Sequence, residues 1–101
     1  MEIINKKCVV RCYGAGVFFG TVTAKNDTPA GVEVELENCR RHWYWDGAAS
    51  LSQLATEGVK RPGRCKFTVI VPQMLVTQVI EIIPATAAAV KSIEEVATWK
   101  Q

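Results

Sequence analysis

The sequence has little of what marks several large classes of protein. It contains one histidine and only two aspartates, which leaves few groups for acid, base or metal chemistry. Its longest apolar stretch, residues 74–83, is interrupted by Thr77, Gln78 and Glu81, whereas a membrane-spanning helix needs about 20 mostly apolar residues. The first residues are not followed by an apolar stretch with a small-residue cleavage site, so we expect no secretory signal, no membrane contact and a cytoplasmic location.

What is present is the composition of a folded protein. The chain has 101 residues, of which 49% are hydrophobic and 22% charged, which predicts one globular domain spanning residues 1–101. A domain of this size buries only about 60 to 70% of the surface that its unfolded chain would expose, less than a larger domain does. We therefore expect a homo-oligomer, a dimer or larger, with the apolar segment 74–83 and an aromatic-rich strand as candidate contacts.

The four cysteines are Cys8, Cys12, Cys39 and Cys65. In a reducing compartment they are expected to be buried thiols rather than disulfides. Cys39 and His42 have a Cys-x-x-His spacing, but no second close pair accompanies them, so no zinc site is predicted.

Catalytic groups are equally sparse. His42 and Asp46 are four residues apart across a strand end, where neither side chain is aimed at the other. The acidic residues Glu33, Glu35 and Glu37 belong to the solvated side of an alternating strand. We expect a protein that is not an enzyme, with no catalytic residue, no metal and no cofactor.

The first half of the chain reads as strands joined by turns. Residues 7–12 and 16–24 predict a hairpin around a glycine turn, and residues 25–31 are rich in turn formers. Residues 32–37 alternate strictly and bury Val32, Val34 and Leu36. A turn at Glu37-Asn38 leads to a strand 39–45, with Cys39, Arg41, Trp43 and Trp45 on one face and Arg40, His42 and Tyr44 on the other.

The second half adds two helices. Ser50 and Gln53 form a capping box for a short helix that Gly58 ends. Residues 65–71 and 74–83 favour strands, interrupted by Pro72, and Thr86 caps a helix extending to Trp99 with Val90, Ile93 and Ala97 as its apolar stripe. These elements predict an α+β fold: a small, mostly antiparallel sheet with one short helix and a C-terminal helix.

Charge is concentrated in the middle of the chain. The net charge is only +2, which argues against a duplex nucleic acid partner. Residues 40–66, however, carry six of the twelve lysines and arginines against two acids. This imbalance favours a local site for a small anion.

Arginines and aromatic residues lie close together in the same part of the sequence and near the first strand. Arginine forks match phosphate oxygens and aromatic faces stack on nucleobases, a combination typical of nucleotide pockets. For Trp43 and Trp45, a place in the core or in a subunit interface fits the pattern as well as a ligand contact does. Tyr44 is the better ligand contact. The residues of this set are Arg11, Tyr13, Arg40, Arg41, Trp43, Tyr44, Trp45, Arg61 and Arg64.

One block, Arg40-Arg41-His42-Trp43-Tyr44-Trp45-Asp46-Gly47-Ala48-Ala49-Ser50-Leu51-Ser52-Gln53-Leu54-Ala55, resembles a family of small bacteriophage proteins. The likeness continues through residues 58–59, 65–67 and 79–84, and at the N-terminus through the pattern Arg11-x-Tyr13-x-Ala15-Gly16-Val17-x-Phe19-Gly20. The chain also resembles the first Thoeris anti-defence family.

That second resemblance implies a homo-oligomeric sponge, which binds cyclic ADP-ribose isomers made by an infected cell's immune enzyme and does not cleave them. Arg11 and Arg40 look like the family's phosphate contacts, while its third basic contact has no arginine here, only Lys91 and Lys100. Tyr13 or Phe67 would stack on the base.

The sequence thus predicts a phage anti-defence protein of the host cytoplasm that sequesters a cyclic nucleotide signal. The candidate ligand-binding residues are Arg11, Tyr13, Arg40, Tyr44, Phe67 and Arg64, and the candidate interface residues are Trp43 and Trp45. One alternative is an interaction module that inhibits a host enzyme through exposed aromatic side chains. Another is a structural or assembly protein of the virion.

Overall fold

The computed structural model describes all residues, 1–101. The elements in chain order are β1 (Lys7–Cys12), β2 (Gly16–Thr28), β3 (Gly31–Tyr44), α1 (Leu51–Glu57), a 3₁₀ turn (Pro62–Arg64), β4 (Lys66–Phe67), β5 (Val71–Pro84) and α2 (Ala87–Glu94). The predicted α+β class with an antiparallel sheet, one short helix and one C-terminal helix is confirmed.

The five strands form one sheet in the order β2-β1-β5-β3-β4, and β2 also pairs with β3. Because of that additional pairing, β1, β2, β3 and β5 form a closed ring of strands, while β4 pairs only with the end of β3. The length of β2 makes closure possible: it pairs with β1 along its first part, from Gly16 to Thr21, and with β3 as far as Thr28. We call this unit the closed sheet.

Two apolar clusters lie on opposite sides of the strands. The inner cluster, inside the closed sheet, includes Phe18, Val22, Val34, Leu36 and three of the four cysteines. The outer cluster joins the other side of β1 and β2 to α1, β4 and α2, and includes Phe19, Leu54, Phe67 and Ile93. Strand alternation therefore fills both clusters, since both faces of these strands are covered.

Strand β3 passes through the position where a turn was predicted. The turn predicted at Glu37-Asn38 is wrong, because β3 continues through both residues. Asn38 takes a positive φ of 50°, and the register between β2 and β3 shifts there, as in a bulge. Gly20 lies opposite: a Cβ built on it would be 3.1 Å from Cys39 Cα and from the Glu37 carbonyl oxygen. The absence of a side chain lets the two strands approach.

Strand β5 likewise continues where the sequence predicted an interruption. It includes Pro72, near its start, where one edge pairs with β3 and the other has no strand, because β1 pairs only from Val79 onward. Proline is tolerated at such an edge because no ladder bond is lost there. The strand predicted over residues 65–71 is reduced to β4, and β2 extends to Thr28, past the predicted turn start.

The helix caps follow the sequence more closely. Ser50 Oγ accepts from the Gln53 backbone N–H at 3.1 Å and Thr86 Oγ1 from Ala89 at 3.1 Å, and Gly58 caps α1 with φ 78°. The predicted end of α2 at Trp99 is wrong, because the helix ends at Glu94. Val96 is buried after it, whereas Ala97, assigned to the apolar stripe, is exposed. Neither α1 nor α2 has the length and apolar composition that a membrane-spanning helix requires.

Candidate functional site: the end of strand β3

Arg40 lies in the interior, contrary to the exposed position expected for a phosphate contact. Its side chain is 4% exposed. The guanidinium donates to the carbonyl oxygens of Val96 at 3.0 Å, Phe67 at 3.2 Å and Thr68 at 3.2 Å. No carboxylate lies within ion-pair distance, and burial lowers the pKa of Arg40. Buried and bonded to three backbone carbonyls, Arg40 is not placed to join Arg11 in clamping a pyrophosphate.

Phe67 is also unavailable for a ligand base. It is fully buried and its ring stacks on His42, with centroids 3.8 Å apart and planes 4° from parallel. Phe19 lies beyond the same imidazole at 6.0 Å. Burial, with a smaller contribution from Arg40, lowers the pKa of His42 to about 3, and neither ring nitrogen has a hydrogen-bond partner. The imidazole acts as an apolar ring at neutral pH.

The opposite face of β3 presents the groups that are free. The Arg41 guanidinium lies 4.7 Å from the centre of the Phe18 ring. Trp43, two residues on, is 58% exposed and stacks on Trp99, with centroids 5.1 Å apart and 24° between planes. Lys66 places its Nζ 5.2 Å from the Trp43 ring and 5.5 Å from the Trp99 ring. We call Arg41, Trp43, Lys66 and Trp99 the aromatic–cationic patch.

The C-terminal segment brings Trp99 to this patch. After α2, Val96 enters the outer cluster, and Thr98 forms a parallel bridge to Phe67. The backbone N–H of Trp99 donates to the Phe67 carbonyl oxygen at 2.9 Å. No pattern in the sequence indicated Trp99 and Lys66, because only the tertiary structure places them beside Trp43. Arg41 belongs to the predicted set of arginines and aromatic residues but not to the candidate ligand-binding residues.

The other predicted ligand residues are dispersed. Arg11 forms a long ion pair with Glu81 at 3.4 Å, and Tyr13, 74% exposed, follows β1 at the hairpin turn. Tyr44 is 48% exposed and pairs with Lys66 across β3 and β4. Of these three residues, Tyr44 is the one that lies beside a patch residue.

Asp46 forms ion pairs with the two arginines that flank Pro62 and Gly63. Arg61 donates to its carboxylate at 2.7 Å and Arg64 lies at 3.6 Å, and the hydrogen bond from Arg61 lowers the pKa of Asp46 below its usual value. Arg64, a predicted ligand contact, thus already forms an ion pair with a carboxylate of the same chain. Trp45 follows the end of β3 and packs against the outer cluster, so the shared face predicted for Trp43 and Trp45 is wrong.

All four cysteines are free and buried, as the sequence suggested. Burial raises the pKa of Cys8 and of Cys12 to about 11 and that of Cys39 to about 12. These thiols remain protonated at neutral pH and are poor nucleophiles. No group of three or more His, Cys, Asp or Glu side chains is arranged to hold a metal ion.

The closed sheet, its two helices and the aromatic–cationic patch define a small α+β domain with one exposed cluster of aromatic and cationic groups. A family profile matches residues 5–93. The chain belongs to that family, which is described as a domain of unknown function, DUF6948. No curated protein and no solved structure matches the chain.

Proposed function

We propose that this protein binds a nucleotide on the aromatic–cationic patch and holds it without chemical change. The observation that supports the proposal is the exposed Trp43–Trp99 stack with the Lys66 ammonium beside both rings. An indole face can stack on a nucleobase, and such contacts contribute about 1–3 kcal/mol per base. The patch thus offers a base platform and a cation within one short span.

The electrostatics favour an anionic ligand. Arg41 and Lys66 have no carboxylate within ion-pair distance, unlike Lys7, Lys25, Arg61 and Arg64. Arg40 adds a buried positive charge behind them, also without a counter-ion. Uncompensated charges of one sign raise the local concentration of the opposite ion, so phosphate groups are the natural complement of this surface.

The specific ligand class that we propose is the cyclic nucleotide immune signals, such as cyclic ADP-ribose isomers. It rests on the resemblance to the first Thoeris anti-defence family, which also implies a phage protein acting as a sponge in the host cytoplasm. Sequestration needs affinity and no catalytic group.

Calorimetry and tryptophan fluorescence test this proposal together. The panel comprises cyclic ADP-ribose isomers, cyclic dinucleotides, AMP and inorganic phosphate. We expect binding of a cyclic nucleotide with a change in indole fluorescence, weakened about ten-fold or more in Trp43→Ala and Lys66→Ala. Lys60→Ala, another exposed lysine, should bind like the wild type. Absence of binding to every nucleotide, or equal binding by all variants, contradicts the proposal.

A release experiment separates sequestration from turnover. The protein is saturated with the bound cyclic nucleotide, incubated and heat-denatured, and the supernatant is analysed by chromatography. Recovery of the intact ligand supports the sponge, whereas a linear or hydrolysed product identifies an enzyme.

A second candidate, a module that inhibits a host enzyme, is favoured by a separate observation. Val69 and Ile70 are 46% and 56% exposed, and they follow Thr68, whose hydroxyl accepts from the Arg41 N–H at 3.0 Å. Exposed apolar side chains near an arginine of the patch suit a protein interface, where arginine and tryptophan are frequent hot spots. A stoichiometric complex with a host enzyme that Ile70→Asp abolishes, in a protein that binds no nucleotide, would favour this candidate.

We also propose a homo-oligomer, with β5 as its contact. Leu75 and Ile80 on this strand are 57% and 55% exposed, and the first half of β5 has one edge without a strand partner. Light scattering should return at least twice the chain mass of 11.1 kDa, and Leu75→Glu should reduce it. A monomer at micromolar concentration contradicts this proposal.

A further inference from the structure

The hydrogen bonds of Arg40 connect three segments that are distant in sequence. Its Nε donates to Thr68 O and its two terminal nitrogens donate to Val96 O and Phe67 O. Strand β3 is thereby joined to the end of β4 and to the chain after α2. The planar fork of a guanidinium can reach carbonyls in several directions at once, which a lysine ammonium on its single stem cannot reproduce.

One of these segments supplies half of the stacked indole pair. Residues 96–100, which we call the strap, follow the end of α2, and the backbone N–H of Trp99 donates to the Phe67 carbonyl oxygen. The same Phe67 carbonyl oxygen also accepts from Arg40. Arg40 therefore sets the position of the strap at its start and of the residue to which the strap is bonded.

We propose that Arg40 is a positioning residue for the ligand surface: by holding the strap, it places Trp99 against Trp43 and so completes the aromatic–cationic patch. The inference rests on the proposed function, because the patch is the binding site assigned above. It also gives Arg40 a role in binding without any contact with phosphate. Without the three bonds, the strap loses its orientation and Trp43 loses its partner.

The stacking can be measured without any ligand. Two indoles this close couple their electronic transitions and produce a paired positive and negative band in circular dichroism, which Trp43→Phe or Trp99→Phe removes as calibration. We expect Arg40→Lys, studied at a temperature where it is folded, to lose most of this paired signal. Ile93→Val serves as the control, since it loosens the outer cluster at α2 while keeping the Arg40 and Trp99 hydrogen bonds that hold the strap.

Ligand affinity provides the second measurement. Arg40→Lys should bind the nucleotide about ten-fold more weakly, whereas Ile93→Val should bind like the wild type. A folded Arg40→Lys with the full paired signal overturns the positioning role. Loss of the signal with unchanged affinity overturns it as well, because Trp99 would then not belong to the site.

Thr98→Pro keeps the inference testable if Arg40→Lys does not fold. It alters only the strap, at an exposed residue, and should lower both the paired signal and the affinity. If it stays folded and keeps the paired signal, the strap's conformation does not place Trp99. If it loses the signal with unchanged affinity, the strap has no role in binding. Because the paired signal is recorded without ligand, a failure of nucleotide binding in the wild type refutes the proposed function separately from the geometry of Arg40.

Discussion

Arg40 and Arg41 are adjacent and chemically identical, yet the fold gives them opposite environments. Arg40 is 4% exposed and donates to three carbonyls, whereas the Arg41 side chain lies over Phe18 on the open side of β3, without an acidic partner. The difference is the face of the strand. One face is covered by α2 and the strap, and the other reaches the end of the closed sheet. Residue type alone does not distinguish a structural arginine from a binding one.

Replacing each arginine by alanine is the sharpest way to break this comparison. Arg40→Ala leaves the Thr68 and Val96 carbonyls without their donor, at about 1–3 kcal/mol for each unsatisfied group, while the Phe67 carbonyl keeps the Trp99 backbone N–H. We therefore expect a loss of roughly 3 kcal/mol in the free energy of unfolding. Arg41→Ala removes an exposed cation–π contact of about 0.5–1 kcal/mol. Urea titration measures both, and equal losses would show that burial does not separate them.

The pH dependence of stability probes the buried face through His42. Its pKa is about 3 when folded, chiefly because of burial, and about 6.5 when unfolded. Between these values the unfolded chain binds the proton and the folded one does not, so stability falls as pH drops from about 6.5 to about 3, by up to ~1.4 kcal/mol per pH unit. Below pH 3 this contribution falls no further.

His42→Phe is the matched variant for that prediction. It keeps an aromatic ring between Phe19 and Phe67 and sacrifices no hydrogen bond, because neither imidazole nitrogen has a partner. Denaturant titrations at pH 7, 6, 5 and 4 should give a flatter profile than the wild type. Parallel profiles would mean that carboxylates, and not His42, control acid stability.

A smaller effect is expected at Gly20, opposite the bulge that precedes the two arginines. In Gly20→Ala the new methyl group would lie 3.1 Å from backbone and side-chain atoms of Cys39, closer than ordinary contact. Overpacking of this kind costs about 1–3 kcal/mol. Thermal unfolding checks the loss, and Gly63→Ala, which has no neighbour within 4 Å, is the control.

The smallest change in stability is expected on the exposed face. Lys66→Ala removes two cation–π contacts at a solvated site, for which about 0.5–1 kcal/mol is usual. The same variant should lose about ten-fold in nucleotide affinity. A large loss of stability with unchanged affinity would reverse the assignment of the two faces.

The parts of this fold that could be predicted are those coded by neighbours in sequence. Ser50, Gln53 and Gly58 mark a helix within nine positions, and the alternation of residues 32–36 specifies its buried face wherever the strand lies. Asn38 was ambiguous, because a residue that tolerates positive φ suits a turn and a bulge alike. The difference depends on whether β2 is present on the other side.

The candidate site was harder to predict because its members meet only in the folded chain. The alternation placed Arg40 and Arg41 on different faces, as observed, but contained no information on which face α2 and the strap would cover. Trp99 was assigned to a helix, and only its bond to Phe67 places it beside Trp43. Phe67, chosen as a base platform, instead supports the buried face.

The distribution of the thiols allows the local opening of two parts of the protein to be measured separately. Cys8, Cys12 and Cys39 belong to the inner cluster and Cys65 to the outer one, so an alkylating reagent can reach each only when the surrounding strands or helices separate. Mass spectrometry of the alkylated sites over time would give two rates, one for the closed sheet and one for the layer of helices packed on it. A ligand held between the strap and β3 should slow labelling at Cys65 more than at the other three.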